Sequence, residues 1–551
     1  MTMMRNFLLA ATLAVSTPAW AAAPVLDTPV KDDWWQGGRA ALDARLKVVN
    51  RPKRAKNIIL MVGDGMGIAT ITAARIFDGQ HPIDGRPPGP GEENSLAWDR
   101  MANTALVKTY NTNAQVSDSA GTASSFNTGV KTRIGVINFG QNQGAEACKT
   151  PEKLPRTFAE IARAQGMGLG IVTTTRITHA TPAAVYGHVP NRDWEGADRA
   201  YPAADRASGC ADLAAQLVSF KGGVDVVLGG GSARFLPAGK GGQRDDGRNL
   251  VSEWQQRWPT GQYVADARGL RALAATGSGQ VPGGPVLGLF NPDHISFEHD
   301  RKDDAEPGLP EMARFALARL AAGAKARGGK GYYLMIEGGR IDHAHHASNP
   351  YRALKEAQMF SATVAEVLKM VNLDETLVLV TADHSHVLTI AGYPERGNDI
   401  LGYIKPSRDG EGGGPVSPEG WALDDRGQPM TTLSYANGPF LSRGLSRLLP
   451  PNDPNYLAMK TYGTGGESHA GEDVALFAEG PRLVFPFARR IIALTPGSAG
   501  AALQDQRLSI QPATPPATTP TTIPASQSRR DEYTSCNQSP MGPVTQQFDQ
   551  C

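Results

Sequence analysis

The chain has 551 residues, too many for one minimal domain but within reach of one large α/β domain with insertions. Its formal net charge of +1 carries none of the basic excess of a nucleic-acid-binding face, so no such surface is expected. After the N-terminal stretch, no apolar run reaches the length of a membrane span.

Residues 1–23 have the order of a secretory signal. Arg5 supplies the positive start, and Phe7 to Val15 form an apolar stretch too short to cross a bilayer comfortably. Ala19-Trp20-Ala21 and Ala21-Ala22-Ala23 offer small-x-small cleavage sites. The mature protein is expected to be soluble and either periplasmic or secreted. A buried N-terminal helix is the weaker alternative.

A short apolar run at 58–62 predicts a buried strand, followed by Gly63-Asp64-Gly65-Met66-Gly67. Its glycines allow a tight turn and close approach to an ion, with Asp64 projecting from the strand end. Alternatively, Asp64 caps a following helix. Next comes Asp118-Ser119-Ala120-Gly121-Thr122-Ala123 at the start of a short helix. A serine there gains positive potential from the helix dipole, which favours a phosphate and a developing alkoxide; the plain alternative is an N-cap. No Gly-x-Ser-x-Gly elbow surrounds Ser119, so a hydrolase triad is not indicated.

The chain then alternates. A helix at 157–165 leads into a strand at 169–174, after which come His179 and Thr181. Arg192 lies in His188-Val-Pro-Asn-Arg192-Asp-Trp194; a guanidinium can clamp two phosphate oxygens, although a surface ion pair explains a lone arginine equally well. A helix at 213–220, strands at 224–228 and 286–290, a helix at 312–324 and a strand at 332–336 follow. Glu337 opens the densest cluster, Glu337-Gly-Gly-Arg-Ile-Asp342-His343-Ala-His345-His346. Asp342 and His346 stand one helical turn apart and can face one ion. A helix at 351–370 and a strand at 377–380 precede Asp383 and His384. His345 and His386 are read as supporting residues rather than direct ligands.

Residues 392–459, rich in Gly, Pro and Asp, read as an inserted subdomain within a catalytic domain spanning 24–503. His469 sits in Gly466-Glu-Ser-His469-Ala-Gly-Glu-Asp473, ahead of the apolar run 474–478. Residues 504–551 form a Pro/Thr/Ser/Gln tail that cannot bury enough apolar surface to fold. The four cysteines contain no Cys-x-x-Cys pair, which argues against a cysteine zinc site. In an oxidising compartment Cys148 with Cys210 is a candidate disulfide, and Cys536 with Cys551 could pair within the tail.

Apolar strands alternating with helices indicate an α/β fold: a large, mostly parallel sheet with helices on both faces. Four strands end in potential metal ligands, and ligands bind at the carboxyl ends of such strands. Mixed histidine and carboxylate donors suit Zn²⁺. The oxygen donors Asp64, Thr181 and Glu337 suit Mg²⁺.

These stretches, with Thr173-Thr-Thr-Arg-Ile-Thr-His-Ala-Thr-Pro-Ala-Ala184 and Thr381-Ala-Asp-His-Ser-His386, resemble the alkaline phosphatase family, in the family's order and over roughly residues 50 to 480. The resemblance implies a broad-specificity phosphomonoesterase acting through a phosphoserine on Ser119. It implies one zinc on Asp342, His346 and His469, and a second on Asp64, Asp383 and His384, with Ser119 as its reactive ligand. A magnesium would lie on Asp64, Thr181 and Glu337, with Asp64 bridging. Arg192 would hold phosphate, oriented by Asp118. His179 and His343 would flank the metals, as in animal-like and several marine bacterial forms. Asn291 stands where animal forms with a calcium-like fourth site carry an acid. Cys148 and Cys210 fall where animal-type enzymes have a disulfide. A homodimer is implied, with 392–459 near its interface.

Two rival readings fit less well. A sulfatase-like relative needs a Cys/Ser-x-Pro-x-Arg motif, which Ser119-Ala-Gly-Thr does not match; diesterase activity stays open as a side reaction. A non-catalytic phosphate-binding protein would lack ligands, and none of those expected is missing. After Pro481 the chain departs from the family, as a lineage-specific tail or a divergent reading frame.

Overall fold

The computed structural model describes residues 54–201, 203–277, 284–407, 414–439 and 449–481. The expected signal segment and the tail with Cys536 and Cys551 lie outside them.

Long apolar runs become strands buried on both faces. They are β1 (Asn57–Gly63), β3 (Gly168–Arg176), β4 (Val226–Gly230), β6 (Val286–Leu289), β7 (Tyr332–Gly338) and β8 (Thr376–Thr381). With β2 (Asn103–Val107), β5 (Gln262–Val264) and β14 (Val474–Glu479) they form a nine-stranded sheet, ordered β2-β14-β8-β1-β7-β3-β4-β6-β5. From β8 to β5 neighbouring strands run parallel, while β14 runs antiparallel to both β8 and β2.

The intervening segments form α1 (Ile68–Gln80), α2 (Ser119–Thr128), α3 (Phe158–Ala164), α4 (Leu213–Ser219), α5 (Leu309–Ala326), α6 (Arg340–His346) and α7 (Pro350–Met370). Thr157 starts α3 with a capping box: its hydroxyl accepts the Glu160 N–H, and the Glu160 carboxylate accepts the Thr157 N–H. Asn349 caps α7 by accepting from the Arg352 N–H at 2.9 Å. Neighbouring residues of β7 face opposite helices, as a pleated strand requires. Tyr333 meets Phe158 of α3 edge-to-face with ring centroids 4.8 Å apart. Leu334 approaches Leu320 of α5 across Gly170, where a Cβ would lie 2.7 Å from one and 2.8 Å from the other. Each fully buried side chain of this size is worth roughly 2 kcal/mol.

Two of the boundaries that differ from the sequence expectation have a clear local cause. The strand expected at 224–228 is displaced by two residues to Val226–Gly230. Asp225 turns its carboxylate to the Leu169 N–H, Arg163 and Arg327, which pins it just before the strand. The helix expected at 312–324 begins at Leu309, because Pro310 suits a first turn that needs no N–H donor.

Within 392–459, β11 (Leu433–Pro439) pairs with β10 (Leu388–Ile390) and β12 (Lys460–Thr464), both just outside that segment. A separate ladder joins β9 (Ser385–His386) to β13 (His469–Ala470), with His469 opposite His386.

Cys148 and Cys210 form a disulfide across a sequence separation of 62 residues. Loop-closure entropy makes such a crosslink worth about 4 kcal/mol. The Cys148→Ser/Cys210→Ser variant is expected to unfold at a clearly lower urea concentration; an unchanged midpoint would show that the bond contributes nothing.

Candidate active site

The carboxyl ends of β1, β3, β7 and β8 deliver the predicted residues to one place. Asp64 follows β1, Glu337 is the second-last residue of β7, and Asp383 and His384 follow β8. Thr181 lies in a one-turn helix, Ala180–Ala183, just after β3. Asp64, Glu337 and His384 are 0 % exposed and Asp383 is 1 % exposed.

Gly65 explains how Asp64 is freed. It has φ +67°, and a Cβ there would lie 2.4 Å from the His386 ring. Its N–H donates to Asp383 Oδ1 at 3.0 Å. The residue capping α1 is Gly67, so Asp64 is not spent as a helix cap.

Asp118 does cap α2, and Ser119 is the helix's first residue. Asp118 Oδ1 accepts from the Gly121 N–H at 3.1 Å and from Asn111 at 3.0 Å. Asp118 Oδ2 accepts from the Gly135 N–H at 2.9 Å and from Arg192 at 3.2 Å. The other arm of Arg192 reaches His179 Nε2 at 3.1 Å. A guanidinium only donates, so His179 accepts there as a neutral imidazole. Burial, with Arg192 and Arg176 nearby, lowers His179 to about 3. Ser119 Oγ lies 3.2 Å from His384 Nε2.

Three sets of donors gather here, each with ligand atoms within 4.8 Å of one another. The first is Asp342, His346, His386 and His469. The second is Asp64, His384 and Asp342. Asp383 stands beside that second set, its Oδ2 3.2 Å from His384 Nε2. The third is Asp64, His179 and Glu337, with Thr181 Oγ1 3.4 Å from Asp64 Oδ2.

The fold sets the tautomers of three of these histidines. Nδ1 of His346 lies 2.5 Å from the Glu467 carbonyl, Nδ1 of His469 2.8 Å from the Ser117 carbonyl, and Nδ1 of His384 3.3 Å from the Ser385 carbonyl. A carbonyl only accepts, so each Nδ1 holds the proton and each Nε2 keeps its lone pair.

The carboxylates also fit cations. Glu337 Oε2 accepts from the hydroxyls of Thr173 and Thr175, while Glu337 Oε1, Asp64 Oδ1 and Asp383 Oδ2 make no hydrogen bond. Burial first, then mutual repulsion, pushes Asp64 well above the usual carboxylate range. Burial likewise raises Asp383, and raises Glu337 to about 7. Buried carboxylates without partners either protonate or hold cations.

Sequence reasoning missed two residues. His294, after β6, packs on His343 with ring centroids 4.2 Å apart and on His179 at 5.3 Å. Glu467 reaches both His386 and His346. Its nearness to His469 in sequence was the available signal. Further out, Asn291 donates to Glu306, whose second oxygen accepts the Ser296 N–H at 3.1 Å.

Residues 55–485 match the family model described as alkaline phosphatase. The chain belongs to the alkaline phosphatase family. An alkaline phosphatase of Gadus morhua is 37% identical over 470 residues, covering 82% of this chain and 91% of that relative. The tissue-nonspecific isozyme of Gallus gallus is 37% identical over 466 residues, covering 81% and 84%. The alkaline phosphatase from the Antarctic bacterium TAB5 shares the fold, with a TM-score of 0.52 at 19% identity over 80% of this chain and 99% of that one. The Thermus thermophilus alkaline phosphatase does so with a TM-score of 0.53 at 23% identity, over 84% and 94%. The chain is thus a phosphomonoesterase with metal-capable groups at the carboxyl end of an alkaline phosphatase sheet. Among the described residues, no helix is long and apolar enough to cross a membrane.

Proposed function

We propose that this alkaline phosphatase hydrolyses phosphomonoesters of varied leaving group through a phosphoserine on Ser119, with two zinc ions and one magnesium. The observation that carries the reading is Ser119, at the start of α2, beside His384 and near three groups of buried or half-buried, metal-capable donors. Asp342, His346 and His469 would hold one zinc, and Asp64, Asp383 and His384 the second. Asp64, Thr181 and Glu337 would hold magnesium. When bound, the ions supply Lewis acidity to the serine and leaving-group oxygens and offset phosphoryl charge.

The remaining steps belong to the chain. Ser119 Oγ attacks phosphorus and the ester oxygen departs. Water then cleaves the phosphoserine and frees phosphate. Arg192, held by Asp118 and His179, clamps phosphoryl oxygens as the α2 N-terminus favours their charge. These contacts address the phosphoryl group, so the leaving group can vary. His343 lines this site from α6, its Nδ1 accepting from Arg340 at 2.8 Å. The enzyme acts after export to the periplasm or medium, where its disulfide persists, as a homodimer.

The test is hydrolysis of a chromogenic phosphomonoester. Chelation is expected to abolish turnover, and zinc with magnesium to restore it. Turnover indifferent to chelator would overturn the metal reading.

A further inference from the structure

Glu467 is buried, 1 % exposed, and its contacts converge on two residues of the first donor group. Its backbone carbonyl accepts from His346 Nδ1 at 2.5 Å. Its carboxylate Oε2 lies 2.6 Å from His386 Nδ1, and Oε1 accepts the Val387 N–H at 2.8 Å. His386 Nε2 in turn lies 2.7 Å from Asp342 Oδ1. His386 therefore differs from His346, His384 and His469. Those three pair Nδ1 with a carbonyl and leave Nε2 free, whereas His386 meets a carboxylate at each nitrogen and can donate to both. It acts as a bridge rather than a ligand. The β9–β13 ladder sets His386 opposite His469 and so keeps the bridge in register with the third member of the group.

We infer that Glu467 is a positioning residue for the first zinc, a role that rests on the metal reading above. Its carbonyl sets the proton on His346. Its carboxylate orients His386, whose other N–H holds Asp342 Oδ1 where it faces His346 Nε2 and His469 Nε2, each 3.3 Å away. Partners that orient ligands in this way typically change metal affinity by about 10–100-fold. Removing the carboxylate also strands the buried His386 Nδ1–H and Val387 N–H.

The experiment uses the full-length holoenzyme, with zinc and magnesium counted by elemental analysis during titration with a zinc chelator. Glu467→Gln is expected to lose one of its two zincs at a free-zinc level on the order of tenfold or more above that at which the wild type does. The other zinc and the magnesium should be retained. In a His386→Asn background, Glu467→Gln should add little further loss, because the bridge is already cut. Glu467→Asp, which keeps the charge but withdraws it by one methylene, should show the same selective loss and serves if the Gln variant does not fold. Wild-type zinc retention in both Glu467 variants would overturn the role while leaving the metal reading intact. Equal loss of every metal, or full additivity with His386→Asn, would mark Glu467 as merely structural and also overturn it. A wild-type enzyme that binds no zinc would instead remove the metal reading on which the role rests.

Discussion

Ser119→Ala is expected to abolish the acid-trapped phosphoenzyme and to lower turnover by at least a factor on the order of a thousand. The size follows from what the hydroxyl alone supplies. Ser119 Oγ, on the first residue of α2, lies 3.2 Å from Nε2 of His384, a member of the proposed second zinc group. Without the hydroxyl, hydrolysis loses its covalent step and must proceed by direct attack of water. The fold should survive, since Asp118 rather than Ser119 caps the helix and the rest of α2 is buried and unchanged. Labelled phosphate, trapped at acid pH and mapped by peptide sequencing, checks the assignment. A labelled peptide lacking Ser119 would sink it.

The second large effect is expected at His346. Its Nε2 lies 3.3 Å from Asp342 Oδ1 and 3.0 Å from His469 Nε2. His346→Ala removes one of the three proposed ligands. The variant should bind one zinc rather than two, and turnover should fall on the order of a hundredfold or more, as when a transition-state charge loses its stabiliser. Elemental analysis of the purified variant decides the point: a full complement of zinc would show that the first site is assembled from other donors.

The fold was legible wherever its signal is local. A strand buried on both faces must be apolar almost throughout, so 58–62, 169–174, 332–336 and 377–380 announced themselves, each within two residues of the observed bounds. The candidate ligand positions at the strand ends were equally local, because a parallel sheet brings the ends of its strands to one edge whatever the loops do. The edge of the sheet was not legible in this way. In β2 only Val107 is buried, so no apolar run marks the strand. Only its pairing with β14, more than three hundred residues later in the chain, makes it part of the sheet.

The sequence by itself determined the central strands, the turn at Gly65 and the identity of the residues gathered around Ser119. Tertiary structure alone decided which nitrogen of each histidine is free. The proton on His469 Nδ1 is set by the carbonyl of Ser117, 352 positions away, and that on His346 by the carbonyl of Glu467, 121 positions away. It likewise decided that His386 serves as a bridge, because Asp342 and Glu467 reach its two nitrogens from different segments of the chain. Side-chain type and periodicity are written along the chain, but the partner of a ring nitrogen is a backbone oxygen that every residue carries. Only the fold selects which of them arrives.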